Sequence, residues 1–267
     1  MTTPERRHLD RIRERFTNSA MPFAQFVLAT RAGEAARLAD MATANVPSAS
    51  ESRAIDVACG PGTFARAFAS RVVHVVGVDF TPEMLQQARQ MTLREELANL
   101  AFTCADAYAL PFGDETFDVA LCSYALHHLL HPERVLQEMA RVVRRGGRIA
   151  IADLILAEEA DDDAHNRIER ARDPSHAATL RETDIRRLLT NTGVHVFAAE
   201  REERRRNFDE WMRTAGQGPG TQAYQTTRRL VEECLVADAA GFQPRVDSAT
   251  GAIEFRQTVL FVTAEKE

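Results

Sequence analysis

The chain predicts a doubly wound α/β fold, a mostly parallel sheet with helices on both faces and a helical cap above it. Three observations carry the prediction. Between residues 54 and 153, short apolar runs alternate with amphipathic stretches, the pattern of successive βαβ units. The first run passes directly into a glycine turn that opens a helix, Ile55-Asp56-Val57-Ala58-Cys59-Gly60-Pro61-Gly62-Thr63. The second run, Val76-Gly77-Val78-Asp79, ends on a carboxylate about 20 residues beyond that turn, the spacing of a ribose-binding acid.

Taken in order, strands are predicted over 54–58, 73–78, 100–104, 117–123 and 147–152. Helices are predicted over 63–71, 82–97 and 133–143, with a short one near 123–130. Pro82 suits a first helical turn with Thr81 as its capping hydroxyl, and Gly146-Gly147 end the helix before the fifth strand. Ahead of this core, Leu9, Ile12 and Phe16, then Phe23, Phe26 and Val27, recur at helical spacing and predict two helices folding over the sheet as a lid. Beyond it, Thr183-Asp184 open a helix with Ile185, Leu188 and Leu189 on one face, Gly193 stops it, and strands follow over 194–199 and 255–264. The stretch 207–251, interrupted by Gly216-Gln217-Gly218-Pro219-Gly220, is too long for a hairpin turn and predicts a helical insert that shapes a substrate pocket. The expected organisation is lid helices over 1–45, a ligand-binding core over 46–206, the insert over 207–251 and a final core strand over 252–267.

Composition narrows the function classes. The 267 residues are 45 % hydrophobic and 27 % charged, ordinary for a globular protein, and no apolar run approaches the ~18 residues of a membrane span. The charged N-terminal segment lacks the apolar stretch of a signal peptide, so a cytoplasmic location is expected. A net charge of −6 argues against a nucleic-acid partner, and the basic run 201–206, broken by Glu202 and Glu203, reads as a solvated strand end. Cys59, Cys104, Cys122 and Cys234 form no CxxC pair, and the adjacent acids at 158–159 and 161–163 cannot all converge on one ion, so no metal is expected. Monomer and homodimer are both compatible with the sequence.

Glycines in the turn after the first strand let a ligand approach the backbone, because no Cβ intervenes. Gly60-Pro61-Gly62-Thr63-Phe64-Ala65 also satisfies the G-x-G-x-x-A form of dinucleotide sites, so a nicotinamide-dependent oxidoreductase competes. Two carboxylates weigh against it. Asp56 would repel a pyrophosphate and attract the ammonium of an amino-acid moiety. Asp106, after the third strand and followed by Ala107 and Leu110-Pro111-Phe112, can accept from an adenine amino group. Asp79 serves ribose hydroxyls with either ligand, and Phe80 and Met84 either flank the adenine or simply pack.

With these motifs the chain resembles the class I S-adenosylmethionine (SAM)-dependent methyltransferases, and within them the group related to ubiquinone and menaquinone biosynthesis methyltransferases, the methyltransferase type 11 domain. The resemblance rests on Asp56-Val57-Ala58-Cys59-Gly60-Pro61-Gly62, Val78-Asp79, Asp106-Ala107 with Leu110-Pro111-Phe112, Phe117-Asp118-Val119, His127-His128 and Arg141-Val142-Val143-Arg144-Arg145-Gly146-Gly147, in the family's order. It covers roughly 16–153 well and the C-terminal part in outline. It implies a Rossmann-like methyltransferase fold with a seven-stranded sheet and a reversed final strand. It implies S-adenosyl-L-methionine as cofactor, S-adenosyl-L-homocysteine as product, and a cofactor set of Asp56, Ala58, Gly60, Gly62, Asp79, Phe80, Met84, Asp106, Ala107 and Ser123. Two residues depart from the family pattern: Ala58 stands where glycine is frequent, and Arg145 where proline commonly precedes the glycine pair.

His127 and His128 follow the fourth strand, at the carboxyl edge where α/β proteins bind ligands. Either imidazole can take a proton from an acceptor hydroxyl or amine; packing at a helix start is the competing role, and many relatives catalyse by alignment alone. Phe16, Phe23, Arg172, His176 and Trp211 are the candidate acceptor residues, with Phe26 and Tyr224 adding aromatic surface. A salt-bridged helix and capped turn is the alternative for Arg172 and His176. The expected activity is methyl transfer from SAM to oxygen, nitrogen or activated carbon of a small organic acceptor. The alternatives are an NAD(P)-dependent oxidoreductase and a SAM-binding regulatory protein without catalysis.

Overall fold

The computed structural model describes residues 3–44, 46 and 49–267; Met1, Thr2 and Asn45, at the ends of the expected lid segment, lie outside the described residues. One helix of 41 residues, α1 (Thr3–Thr43), stands where two were expected, with Pro22 inside it. Proline forfeits a backbone hydrogen bond within a helix, so tertiary contacts must hold the two halves in one rod. They come from elements far along the chain. Thr17 Oγ1 donates to Glu83 (3.0 Å), His8 Nε2 donates to the His128 carbonyl (2.8 Å), Arg15 pairs with Asp173 (3.2 Å) and Arg37 with Glu202 (2.8 Å).

The core then alternates β1 (Arg53–Val57), α2 (Thr63–Ala69), β2 (His74–Asp79), α3 (Pro82–Arg94), β3 (Leu100–Cys104), β4 (Phe117–Ser123), α4 (Pro132–Val142) and β5 (Val143–Ile155). After it come α5 (Asp162–Arg172), α6 (Glu182–Thr190), β6 (Val194–Asn207), α7 (Phe208–Thr214), α8 (Gln222–Cys234), the short β7 (Arg245–Val246) and β8 (Ile253–Lys266). Strands run β3-β2-β1-β4-β5-β8-β6, with β7 paired to β8 off this path. The first five pair in parallel, and β8 is antiparallel to both β5 and β6. Two reversals restore the direction, so β6 ends at the same edge of the sheet as β1 to β5.

Parallel strands buried on both faces explain the near-continuous apolar runs. Ile55 and Val57 share one face with Ala120 and Cys122, packed under Leu136 and Met139 of α4 and Ile185 and Leu189 of α6. Ala54, Val119 and Leu121 face the other way, against Leu38 and Ala39 of α1 and Phe64 and Phe68 of α2. A third cluster joins Trp211, Tyr224, Phe242 and Phe255 with Ile168.

Local expectations were corrected at three points. The helix before the fifth strand ends at Val142 and β5 starts at once, with Gly146-Gly147 inside a bulge where pairing jumps from Phe117↔Val143 to Val119↔Arg148. Thr81 precedes α3, but its hydroxyl makes no cap bond; its amide donates to Asp79 instead (2.8 Å). The run 201–206 forms the end of β6 with Arg201, Glu203 and Arg205 exposed, but its other face is not solvated: Arg204 and Arg206 turn inward toward α1. No helix among the described residues is long and apolar enough to cross a membrane.

Candidate active site

A cavity of about 480 Å³ lies at the carboxyl ends of the strands and beneath α1, within the ~300–1,000 Å³ range of small-molecule sites. Its floor on one side is the glycine turn. Gly60 takes a φ of +52°, and a Cβ built there meets no atom within 4 Å, so the backbone is open to the cavity it lines. Gly62, at φ +75°, does not line the cavity; a Cβ there would press on Phe102 at 3.0 Å, so glycine is needed for packing behind the turn. Ala58 holds a φ of +57°, a left-handed conformation that favours glycine.

Asp79 closes the turn. Its carboxylate accepts from the amides of Gly60 (2.9 Å) and Thr81 (2.8 Å), and burial raises it above the usual carboxylate range despite those bonds. Phe80, Met84, Asp106, Ala107 and Ser123 line the same half of the cavity. Asp106 is fixed by accepting from the Tyr108 amide (2.9 Å). A glycine turn with open space in place of a Cβ beside a fixed strand-end carboxylate gives an adenosine ligand both room and an acceptor, so these residues fit the cofactor that the motifs imply.

Asp56 does not join them. It is fully buried below the turn, outside the cavity, and neither carboxylate oxygen has a hydrogen-bond partner among the described residues. Burial holds its carboxyl well above the ordinary range, offset in part by the approach of the Ala65 amide. A carboxyl buried behind the backbone and outside the cavity touches neither a pyrophosphate nor an ammonium there, so Asp56 does not discriminate between the two ligand classes.

The other half of the cavity is built around two histidines on a 3₁₀ turn, Leu126–His128. His127 Nδ1 donates to Asp153 at 2.5 Å, and that carboxylate also accepts from the amides of Leu126 and Leu154, both at 2.7 Å. Burial pulls the His127 imidazole down, but the Asp153 charge and hydrogen bond outweigh it and leave it above its ordinary value. His128 is the opposite case. Its Nδ1 donates to the Ser175 carbonyl (3.1 Å), and burial together with His127 pushes it down to about 3, so it stays neutral. Phe16 stands edge-on to both Phe23 (5.4 Å between ring centres) and His128 (5.2 Å).

Arg172 lines the cavity with its guanidinium over Trp211 (4.6 Å), held by Glu169 (3.3 Å) and the Thr214 hydroxyl (2.6 Å). Trp211 contributes a wall while being almost wholly buried in the third cluster. His176 does not reach the cavity; it is buried and donates Nε2 to Asn166 (2.8 Å). Tyr224 also lies away from it, its hydroxyl bonded to Asp209. Phe16, Phe23 and Phe26 form an aromatic roof on α1, while the insert reaches the cavity only through Trp211 and Thr214.

Sequence reasoning missed Asp153, Arg31, Tyr124 and Arg206. Asp153 carried a usable signal: an acid near the end of a strand adjacent to the one that delivers His127. The other three had none, because their meeting depends on which face of β6 lies under α1.

Residues 55–151 match the family model described as a methyltransferase domain. The uncharacterized methyltransferase YcgJ of Bacillus subtilis is 29 % identical over 62 % of this chain and 66 % of its own length. The demethylmenaquinone methyltransferase of Clavibacter sepedonicus is 38 % identical over 38 % of this chain and 40 % of its own length. The chain thus spans less than two thirds of either relative. The YcgJ crystal structure superposes with a TM-score of 0.78 at 24 % identity, over 88 % of this chain and 99 % of that one. A geranyl diphosphate methyltransferase in complex with SAM gives 0.63 at 13 % identity, over 88 % and 85 %. Both structural likenesses speak to the fold. Residues 55–151 are thus similar to the methyltransferase domain family, and the chain has the Rossmann-like fold of its methyltransferase structural neighbours.

Proposed function

We propose that this chain transfers a methyl group from SAM to oxygen, nitrogen or activated carbon of a small organic acceptor in the cytoplasm. The observation that carries the reading is that one cavity joins the Gly60 turn and Asp79 to the His127–Asp153 pair. In this reading Ala58, Gly60, Asp79, Phe80, Met84, Asp106, Ala107 and Ser123 hold the cofactor. When bound, SAM supplies a methyl group on a positively charged sulfur that leaves as a neutral thioether. The chain's task is then to align, to exclude water and to accept a proton.

His127 is the proton acceptor. Donating Nδ1–H to Asp153 fixes the tautomer with Nε2 free, and Nε2 has no partner among the described residues. As the acceptor's oxygen or nitrogen bonds to the methyl carbon, its proton passes to Nε2, and Asp153 stabilises the imidazolium that results. Phe16, Phe23 and Phe26 close the roof against water.

Calorimetric titration with SAM, S-adenosylhomocysteine and NADH tests the reading. Micromolar-range binding of the two adenosyl ligands, lost in Asp79→Ala, with no response to NADH, is the expected result. Binding of NADH alone would turn the assignment over to an oxidoreductase.

A further inference from the structure

The even-numbered side chains at the end of β6 face α1, and α1 answers each in turn. Glu200 and Glu202 both meet Arg37, at 2.5 and 2.8 Å. Arg204 meets Glu34 and donates to the Tyr124 hydroxyl (2.8 Å). Arg206, next on this face, meets a ring: its guanidinium carbon lies 5.7 Å from the centre of Phe26. The helix thus offers an opposite charge at every step until the one that opens into the cavity, which Arg206 lines. Among the described residues Arg206 makes no hydrogen bond and no ion pair.

The surroundings do not neutralise it. Arg31 (2.9 Å) and Arg204 share the single carboxylate of Glu34, leaving that group one positive charge in excess. Arg15 and Arg172 are each matched, by Asp173 and Glu169. A partly buried guanidinium without a counter-ion is unfavourable, and an anion arriving from outside removes that cost. Burial and the neighbouring Arg31, Arg204 and Arg172 accordingly push Arg206 down to about 10, with the more weakly acting charge of Glu210, which forms no ion pair with it, opposing them only in part.

Resting on the methyl-transfer reading, we propose that the acceptor carries a carboxylate or phosphate group that pairs with Arg206, at the β6 side of the cavity. Guanidinium suits either group because its fork of donors matches two oxygens at once.

The test is calorimetric titration of protein saturated with S-adenosylhomocysteine, wild type and Arg206→Met, using phenylacetate, phenyl phosphate and neutral phenylacetamide. At least one anion binds about tenfold or more tightly than the amide to the wild type, and Arg206→Met abolishes the difference while S-adenosylhomocysteine affinity is unchanged. Whichever anion is favoured assigns the group. Equal binding of anion and amide, no binding of either anion, or a preference that survives in Arg206→Met overturns the proposal. Melting without anion adds a second reading: Arg206→Met melts at or above the wild-type temperature, and a clear fall would give Arg206 a structural role and refute the assignment. Absence of S-adenosylhomocysteine binding overturns both this proposal and the methyl-transfer reading, whereas its presence without an anion preference overturns this proposal alone.

Discussion

Replacing Asp153 with asparagine separates the catalytic reading of the His127 pair from a merely structural one. The carboxylate is 1 % exposed and accepts from three groups, the Leu126 and Leu154 amides and His127 Nδ1. Asparagine keeps the size but offers one acceptor oxygen, so at least one buried donor loses its partner, at about 1–3 kcal/mol. For a chain of this length each kcal/mol lowers Tm by roughly 2–4 °C. The charge effect has its own sign. With Asp153 present the folded-state value of His127 is raised, so its contribution to stability is fully present below the unfolded value of about 6.5 and is lost as pH rises through the folded value. Without Asp153, burial dominates and the imidazole falls below about 6.5. The destabilisation by Asp153→Asn is therefore larger at pH 6 than at pH 9. The assay is an NMR titration of the histidine ring protons, assigned with His127→Gln, alongside urea unfolding at the two pH values. Once an acceptor is in hand, turnover to S-adenosylhomocysteine falls by about 10²-fold or more in His127→Gln. A wild-type His127 that titrates at or below about 6.5, or one that Asp153→Asn leaves unmoved, refutes the assignment.

Two further substitutions probe neighbouring features. His128 is held at about 3, so its neutral form stabilises the fold above the unfolded value and that stability is lost as pH falls toward 3; His128→Gln flattens acid unfolding between roughly pH 6.5 and 3, measured by circular dichroism. Ala58→Gly relieves a left-handed φ and raises unfolding free energy by about 0.5–1 kcal/mol, so a loss of stability in denaturant titration would count against strain at that position.

The sheet, its order of units and the glycine-turn side of the cavity were legible in the sequence because their signals are local. A strand buried on both faces must be apolar throughout, as Ile55 to Val57 and Val75 to Val78 are apart from Asp56 and Gly77, and a backbone turn with positive φ asks for glycine at 60 and 62. Asp79 follows from its place at a strand end. Asp56 showed the limit of that logic: spacing placed it near the ligand, while the side-chain alternation of β1 sent it below the turn, where burial raises its carboxyl well above the ordinary range.

What the tertiary structure alone decided is the side of the cavity beneath α1. Whether Pro22 separates two helices or sits within one depends on contacts from Glu83, His128 and Asp173, which hold α1 as a single rod. The basic run of β6 has the composition of a solvated strand, and only the passage of α1 over its even-numbered face turns Arg204 onto Glu34, 170 residues away, and leaves Arg206 facing the cavity. Periodicity reports which residues of one element share a face. It carries no information on which distant element covers that face, because that choice is made by the packing of the whole chain, and at this site it determines the charge of the pocket.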